Sequence, residues 1–195
     1  GAIIITGDMD LNAAITSAAS ISVSGTSNLG ANVTTSGTQT YTGAVVLEVD
    51  TTLTTTNSNI TFSSTVDGDG TARDLTIDTN GNTGTILFDG LVGASNDLDV
   101  IDITGNLDLD AAIANTTSLA VSGTSNLGAN VTTTGTQTYT GAVTLSAATV
   151  TLTTTDSDVT FGGTIDSDVG QTRNLTIDTN GTTGTVQFGS VVGNT

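Results

Sequence analysis

The segment SGTSNLGANVTTSGTQTYTGAV, residues 24–45, recurs at residues 122–143 with one change, Ser36 to Thr134. The match continues in both directions at offsets of 98 to 100 residues, and it includes both arginines. All six aromatic residues form matched pairs as well: Tyr41/Tyr139, Phe62/Phe161 and Phe88/Phe188. Such a repeat indicates an array of similar structural units. The chain therefore divides into copy 1, residues 1–96, and copy 2, residues 97–195.

Short segments with apolar residues two positions apart recur in each copy, for example Ile21-Ser22-Val23 and Leu75-Thr76-Ile77. This period of two is typical of β-strands with one buried face. Gly, Asn, Asp and Ser separate the segments, as expected for turns. No segment has a sustained 3.6-residue period, so we expect almost no helix. The chain has no proline, which suits strands whose N–H groups all pair with a neighbour.

Two all-β architectures fit this pattern. Grouping the strand signals into about five turns of roughly 20 residues per copy predicts a parallel β-helix, or β-solenoid. The alternative is a pair of tandem immunoglobulin-like β-sandwiches of about 100 residues each. We favour the solenoid, because sandwich domains usually carry a core tryptophan and some proline, and this chain has neither.

The composition excludes several classes of function. The chain has 19 acidic residues against 2 arginines, a formal net charge of −17, and no histidine, cysteine or lysine. Zinc sites, disulfides and thiol nucleophiles are therefore excluded. Two arginines cannot neutralise a phosphate backbone, and no apolar run reaches the length of a membrane span, so we expect neither nucleic-acid binding nor membrane insertion. A near-perfect duplication also leaves no unique cleft, and we expect no enzymatic activity.

The candidate sites are two acidic loops. Asp67 and Asp69 of copy 1 align with Asp166 and Asp168 of copy 2. Loops rich in oxygen ligands and glycine suit Ca²⁺, so these four aspartates are candidate calcium ligands. Neither a full EF-hand loop nor a calcium-binding glycine repeat is present, and a solvated polar turn is the competing interpretation. No other cofactor is predicted.

Two further groups of charged residues have competing interpretations. Arg73 and Arg173 either clamp a carboxylate ligand or, as we favour, neutralise the acidic loop just before them. In Leu107-Asp108-Leu109-Asp110 the apolar and acidic residues alternate, which predicts that both carboxylates face solvent.

The phrases TSGTQTYTGAV (35–45), TLTTTNSNITF (52–62) and LTIDTNGNTG (75–84) resemble repeats of very large bacterial surface proteins. These are the filamentous-haemagglutinin and autotransporter-like adhesins. The resemblance covers nearly the whole chain and is one of composition and repetition. It implies a secreted or cell-surface β-helix of right-handed coil, and it brings no catalytic residues.

These observations predict a non-enzymatic structural segment of an extracellular bacterial adhesin, stalk or filament. The alternative is a surface module that binds calcium or a glycan. The apolar segments Gly1–Ile5 and Val191–Gly193 align with interior positions of the repeat. We therefore expect the chain to be a fragment of a longer array, in which Thr195 abuts a further copy, covalently or in a second molecule.

Overall fold

A computed structural model describes residues 1–81 and 83–193. In this part of the chain there are 25 short β-strands and no helix, and every strand pair is parallel. The predicted parallel β-solenoid is confirmed. Tandem immunoglobulin-like sandwiches are excluded, because their sheets are antiparallel. The expected contact of Thr195 lies outside the described residues.

The strands follow one another through short turns. Copy 1 contains β1 (Ala2–Ile5), β2 (Met9–Leu11), β3 (Ile15–Ala18), β4 (Ser20–Val23), β5 (Ser27–Leu29), β6 (Val33–Thr35), β7 (Gln39–Tyr41), β8 (Val45–Leu47), β9 (Thr51–Thr54), β10 (Ile60–Phe62), β11 (Val66–Gly68), β12 (Arg73–Asp78) and β13 (Thr85–Phe88). Copy 2 contains β14 (Leu98–Thr104), β15 (Asn106–Leu109), β16 (Ile113–Val121), β17 (Ser125–Leu127), β18 (Val131–Thr133), β19 (Gln137–Tyr139), β20 (Val143–Leu145), β21 (Thr149–Thr153), β22 (Val159–Phe161), β23 (Ile165–Ser167), β24 (Asn174–Asp178) and β25 (Val186–Phe188).

Three walls enclose one interior, and each turn of the chain contributes one segment to each wall. Wall 1 is the nine-stranded sheet β1-β4-β7-β10-β13-β15-β17-β20-β23. Wall 2 stacks β2, β5, β8 and β11, continues through single bridges at Val92 and Ile113, and ends with β18, β21 and β24. Wall 3 stacks β3, β6, β9, β12, β14, the second half of β16, β19, β22 and β25.

Each copy fills a fractional number of turns. The thirteen strands of copy 1 and its bridge at Val92 make fourteen wall segments, which at three segments per turn is four and two-thirds turns. This is close to the five turns expected, but it is one-third of a turn short of a whole number, so the two copies do not begin on the same wall. Copy 2 starts on wall 3, where β14 pairs with β12, whereas copy 1 starts on wall 1 with β1. Every segment of copy 2 therefore lies one wall away from its equivalent in copy 1.

The interior consists of columns of apolar side chains in register. The wall 3 column pairs successive residues from one turn to the next, in the order Ile15, Val33, Leu53, Ile77, Ile103, Val121, Tyr139, Phe161 and Phe188. From Val33 to Phe161 all of these side chains are at most 1 % exposed. Burial of each such side chain stabilises the fold by roughly 1.5–3 kcal/mol. The column crosses from copy 1 to copy 2 between Ile77 and Ile103 without interruption.

Aromatic side chains stack on one another inside the solenoid. The rings of Tyr41, Phe62 and Phe88 stack on wall 1 with centroids 5.4 and 5.1 Å apart. At the corner after this wall, consecutive turns approach closely enough that a Cβ on Gly43 would collide with the carbonyl of Gly25. Glycine is therefore required there by the contact between turns.

Candidate functional site

The acidic loop of copy 1 is held together by internal partners. Asp67 lies on β11, only 7 % exposed, and its Oδ1 accepts hydrogen bonds from the N–H groups of Ser95 (2.9 Å) and Asn96 (3.3 Å). These two amides belong to the loop one turn further along the solenoid. The carboxylate of Asp67 thus fixes that loop to β11.

Arg73 closes the same loop. Its Nε donates to Oδ1 of Asp69 at 3.1 Å, and its Nη2 donates to Oδ2 at 2.8 Å. Asp69 also accepts the N–H of Thr71 at 3.2 Å. The hydrogen bonds from Arg73 hold the pKa of Asp69 below its ordinary value. This bidentate pair has the geometry that makes arginine–carboxylate contacts specific.

The loop of copy 2 contains the matched ion pair. Arg173 donates from Nε to Oδ1 of Asp168 at 2.6 Å and from Nη2 to Oδ2 at 2.8 Å, which lowers the pKa of Asp168. Asp166 lies on β23, in register with Thr144 of β20. Both arginines therefore neutralise the loops that precede them, as the sequence predicted.

These contacts bear on the four candidate calcium ligands. Asp69 and Asp168 each give both carboxylate oxygens to an arginine, and Asp67 is bonded to backbone amides. Across residues 1–81 and 83–193 there is no group of three or more acidic, His or Cys residues arranged to hold a metal ion. Calcium binding at Asp67, Asp69, Asp166 and Asp168 stays a hypothesis beside the competing interpretation of a solvated polar turn, and a bound ion would have to compete with the two guanidinium groups.

A third acidic cluster lies where the two copies meet. Leu107 and Leu109 are buried while Asp108 and Asp110 point outward, which confirms the predicted alternation. Oδ1 of Asp108 accepts a hydrogen bond from Nδ2 of Asn126 at 2.8 Å. Partial desolvation and the nearby carboxylates of Asp108 and Asp89 raise the pKa of Asp110. The copy boundary is thus a site of like-charge repulsion.

Many other Asn and Asp side chains connect successive turns. In each case Oδ1 accepts a backbone N–H from the next turn, as with Asp8 and Thr26 (2.8 Å), Asn32 and Thr52 (2.8 Å), Asn59 and Thr85 (3.0 Å), Asn106 and Thr124 (2.9 Å), Asn130 and Thr151 (2.8 Å), and Asp158 and Thr185 (2.8 Å). Sequence reasoning missed this role. Its signal was present, because Asp8 is replaced by Asn106 and Asn59 by Asp158 in the other copy, and both residue types offer the same acceptor oxygen.

The interior also contains one buried polar network in each copy. Nε2 of Gln39 donates to the carbonyls of Thr54 (2.9 Å) and Val33 (3.2 Å), and Oε1 accepts from the hydroxyl of Tyr41 (3.0 Å). Gln137 and Tyr139 repeat this arrangement in copy 2. Burial raises the pKa of both tyrosines, so their hydroxyls stay protonated donors. The network satisfies polar groups inside the solenoid and does not open to a cleft.

Comparison with known proteins gives no relative from which a function could be transferred. No protein-family model, no curated protein and no solved structure significantly matches this chain. In the part of the chain that the structure describes, no helix is long and apolar enough to cross a membrane.

Proposed function

We propose that this chain is a non-enzymatic structural segment of an extracellular bacterial surface protein, forming part of a stalk, fibre or adhesin shaft. One observation carries the proposal. The interior columns pass through the boundary between the copies without a break, with Ile77 paired to Ile103 on wall 3 and Phe88 paired to Leu109 on wall 1. A unit joined in this way adds length to a rod and keeps its cross-section constant.

The distribution of polar contacts supports the same role. The Asn and Asp side chains bind the backbone of the next turn, and each arginine binds an aspartate of its own loop. In such an array each turn interacts only with its neighbours, so stability grows with the number of turns. Most connections between strands are short, which leaves few segments of backbone open to proteolysis.

The calcium- or glycan-binding alternative has weaker support from the geometry. A calcium ion at the acidic loops would have to displace Arg73 from Asp69, or Arg173 from Asp168, and both pairs are bidentate. Aromatic platforms, which commonly stack on sugars, are scarce on the surface because five of the six aromatic side chains are buried and only Phe188 is exposed.

Surface labelling of cells tests the proposed location. Antibodies raised against the purified chain should label intact cells of the bacterium that carries the gene, and protease treatment of those cells should remove the label. An antibody against a cytoplasmic protein is the control for intact cells. Labelling that appears only after the cells are permeabilised would overturn the proposal.

A further inference from the structure

The two ends of the described solenoid expose side chains that are buried at the copy boundary. At the last turn, Phe188 is 49 % exposed and Val192 is 52 % exposed, whereas the equivalent Phe88 and Val92 are fully buried. At the first turn, Ile3 and Ile5 are only partly buried, and an open depression of about 500 Å³ lies between β1 and β3. In the part of the chain that the structure describes, both end faces are therefore apolar and partly exposed.

We propose that these two end faces bind each other, so that the last turn of one molecule receives the first turn of a second copy in a single register. This rests on the proposed structural role and adds to it the partner and the geometry of the joint. The contact is heterologous, and contacts of that kind generate open filaments.

The boundary inside the chain is the template for this joint. There, Leu75 and Ile77 of β12 pair with Ile101 and Ile103 of β14. Ile86 and Phe88 of β13 pair with Leu107 and Leu109 of β15, and Val92 pairs with Ile113. All ten of these side chains are at most 2 % exposed.

Because the two copies are equivalent in sequence, each contact at the internal boundary has an equivalent contact between two molecules in the proposed register. In this register Leu175 and Ile177 of one molecule lie under Ile3 and Ile5 of the next. Val186 and Phe188 lie under Met9 and Leu11, and Val192 lies under Ile15. Each of these residues occupies, in its own copy, the position of its counterpart at the internal boundary.

The charges at the end faces differ from those of the boundary in the direction that favours association. Five aspartates of the boundary are replaced at the ends by residues with uncharged side chains: Asp74 by Asn174, Asp89 by Gly189, Asp99 by Gly1, Asp102 by Ile4 and Asp110 by Asn12. One change goes the other way, from Asn106 to Asp8. At the internal boundary, the carboxylates of Asp108 and Asp89 raise the pKa of Asp110. Where a second copy would dock, only the equivalent of Asp108 is still acidic, because Asn12 and Gly189 replace the other two aspartates.

The joint also fixes a rotation. Because a copy spans four and two-thirds turns, each joined copy starts one wall away from its predecessor, and three copies restore the starting wall after fourteen turns. With strands ~4.8 Å apart, the same wall would face the same side every ~67 Å along such a filament.

Disulfide trapping tests the register, and the chain suits it because it has no cysteine. The outward residues Thr76 and Asp102 are directly paired across the boundary, and so are Leu87 and Asp108. Their equivalents are Thr176 with Ile4, and Gln187 with Asp10. Paired residues on adjacent parallel strands have Cα atoms about 4.8 Å apart, within the range that a disulfide spans.

Three mixtures of single-cysteine chains are compared in a glutathione redox buffer. Thr176→Cys is mixed with Ile4→Cys, and Gln187→Cys with Asp10→Cys, as the two matched pairs. Thr176→Cys mixed with Asp10→Cys is the mismatched pair, because these positions lie on different walls in the proposed register. The double variant Thr76→Cys/Asp102→Cys in one chain is the positive control for the geometry.

We expect at least ten times more cross-linked heterodimer from each matched pair than from the mismatched pair, and more at high salt, which screens the acidic surfaces. Equal yields from matched and mismatched pairs would overturn the register. A failure of both matched pairs to link, with the wild-type chain sedimenting as a monomer at high concentration and high salt, would overturn the docking itself. Either failure leaves the result of the cell-surface experiment, and hence the proposed role, unaffected.

Discussion

Tyr41 and Tyr139 occupy the same position of the sequence repeat but lie on different walls of the solenoid. Tyr41 stacks on Phe62 in wall 1 at 5.4 Å, and Tyr139 stacks on Phe161 in wall 3 at 5.3 Å. Their hydroxyls nevertheless donate to the same partner, the side-chain oxygen of Gln39 or Gln137. The ring stacking and the tyrosine–glutamine hydrogen bond are therefore determined by the local sequence and do not depend on which wall contains the segment.

This relationship implies that the three walls are interchangeable environments. A segment can occupy any of the three walls if it meets two conditions. Every second side chain must be apolar, so that one face of the strand can be buried, and the strand must pair in register with a strand in the turn before and a strand in the turn after. Phe88 satisfies the second condition with a leucine, Leu109, at the boundary. Within residues 1–81 and 83–193, the equivalent Phe188 is paired on one side only, with Phe161.

The matched residues Phe88 and Phe188 allow a direct measurement of how much a paired neighbour in the next turn adds to the free energy of unfolding. We predict that Phe88→Ala lowers the free energy of unfolding by about 3–5 kcal/mol, because it opens a cavity in a fully buried stack. Phe188→Ala should cost about 1 kcal/mol in the monomer, since half of that ring is already exposed. Urea unfolding followed by circular dichroism at low protein concentration measures both. Equal losses would contradict the assignment of Phe188 to an uncovered end.

Ser27 offers a gain of stability. Its hydroxyl is buried and, within the described residues, has no hydrogen-bond partner; the equivalent Ser125 shares this property. We predict that Ser27→Ala raises the free energy of unfolding by about 1 kcal/mol, because the cost of burying an unpaired hydroxyl disappears. Thr55→Val is the control, since Thr55 donates to the carbonyl of Ser58 at 2.7 Å and its replacement should destabilise. A loss of stability in Ser27→Ala would show that the hydroxyl is bonded.

The fold could be read from the sequence because alternation reports a buried face directly. Ile21-Ser22-Val23 and Leu75-Thr76-Ile77 are strands with the predicted residues inside. The rotation of one wall per copy could not be read. Alternation does not say which wall a strand joins, and Val92 and Ile113 make single bridges that a strand pattern does not distinguish from a turn.

The candidate site was partly predictable for a similar reason. Arg73 lies four residues from Asp69, so their pairing needed only a tight loop. The contact of Asp67 with Ser95 and Asn96 spans 28 and 29 residues and depends on how many residues complete a turn. That length varies between turns, and so the partner of Asp67 could not be identified without the structure.

Gln39 can be turned into a pH sensor. In Gln39→Glu a neutral carboxylic acid can still donate to the Thr54 carbonyl, whereas a carboxylate there would be buried facing carbonyl oxygens. The folded pKa should therefore rise above the unfolded value of about 4.3. The variant should match wild type below pH ~4 and then lose up to about 1.4 kcal/mol per pH unit relative to it as the pH rises, until the folded group ionises.

The control for this measurement is the exposed residue Gln187. Gln187→Glu adds the same charge at the surface, and we expect its stability relative to wild type to change little with pH. Stability curves of Gln39→Glu and wild type that stay parallel from pH 4 to pH 8 would show that position 39 is hydrated.

The acidic loops should be insensitive to calcium. Asp69 and Asp168 are engaged by arginines that already lower the pKa of each carboxylate, so both are ionised and paired near neutral pH. We predict that millimolar Ca²⁺ changes the melting temperature no more than the same concentration of Mg²⁺, which controls for screening of the acidic surface. A rise specific to Ca²⁺ that is lost in Asp67→Asn/Asp69→Asn would instead support the calcium-binding alternative.

Asp110 should weaken the copy boundary at neutral pH. Desolvation and its neighbours Asp108 and Asp89 raise its folded pKa, so its contribution is most favourable below the unfolded pKa of about 3.9 and is lost as the pH rises through the folded pKa.

The change Asp110→Asn installs the residue found at the equivalent position 12. We predict a gain on the order of 0.5 kcal/mol at pH 7, because the carboxyl group is largely exposed. The gain should shrink in 1 M salt and vanish near pH 3, where the raised pKa of Asp110 keeps its carboxyl group protonated. Asp97→Asn, an exposed position outside this cluster, makes the same change in net charge and should give no comparable gain. Equal effects of the two variants at every pH would mean that the net charge of the chain, and not the acidic cluster at the copy boundary, changes the free energy of unfolding.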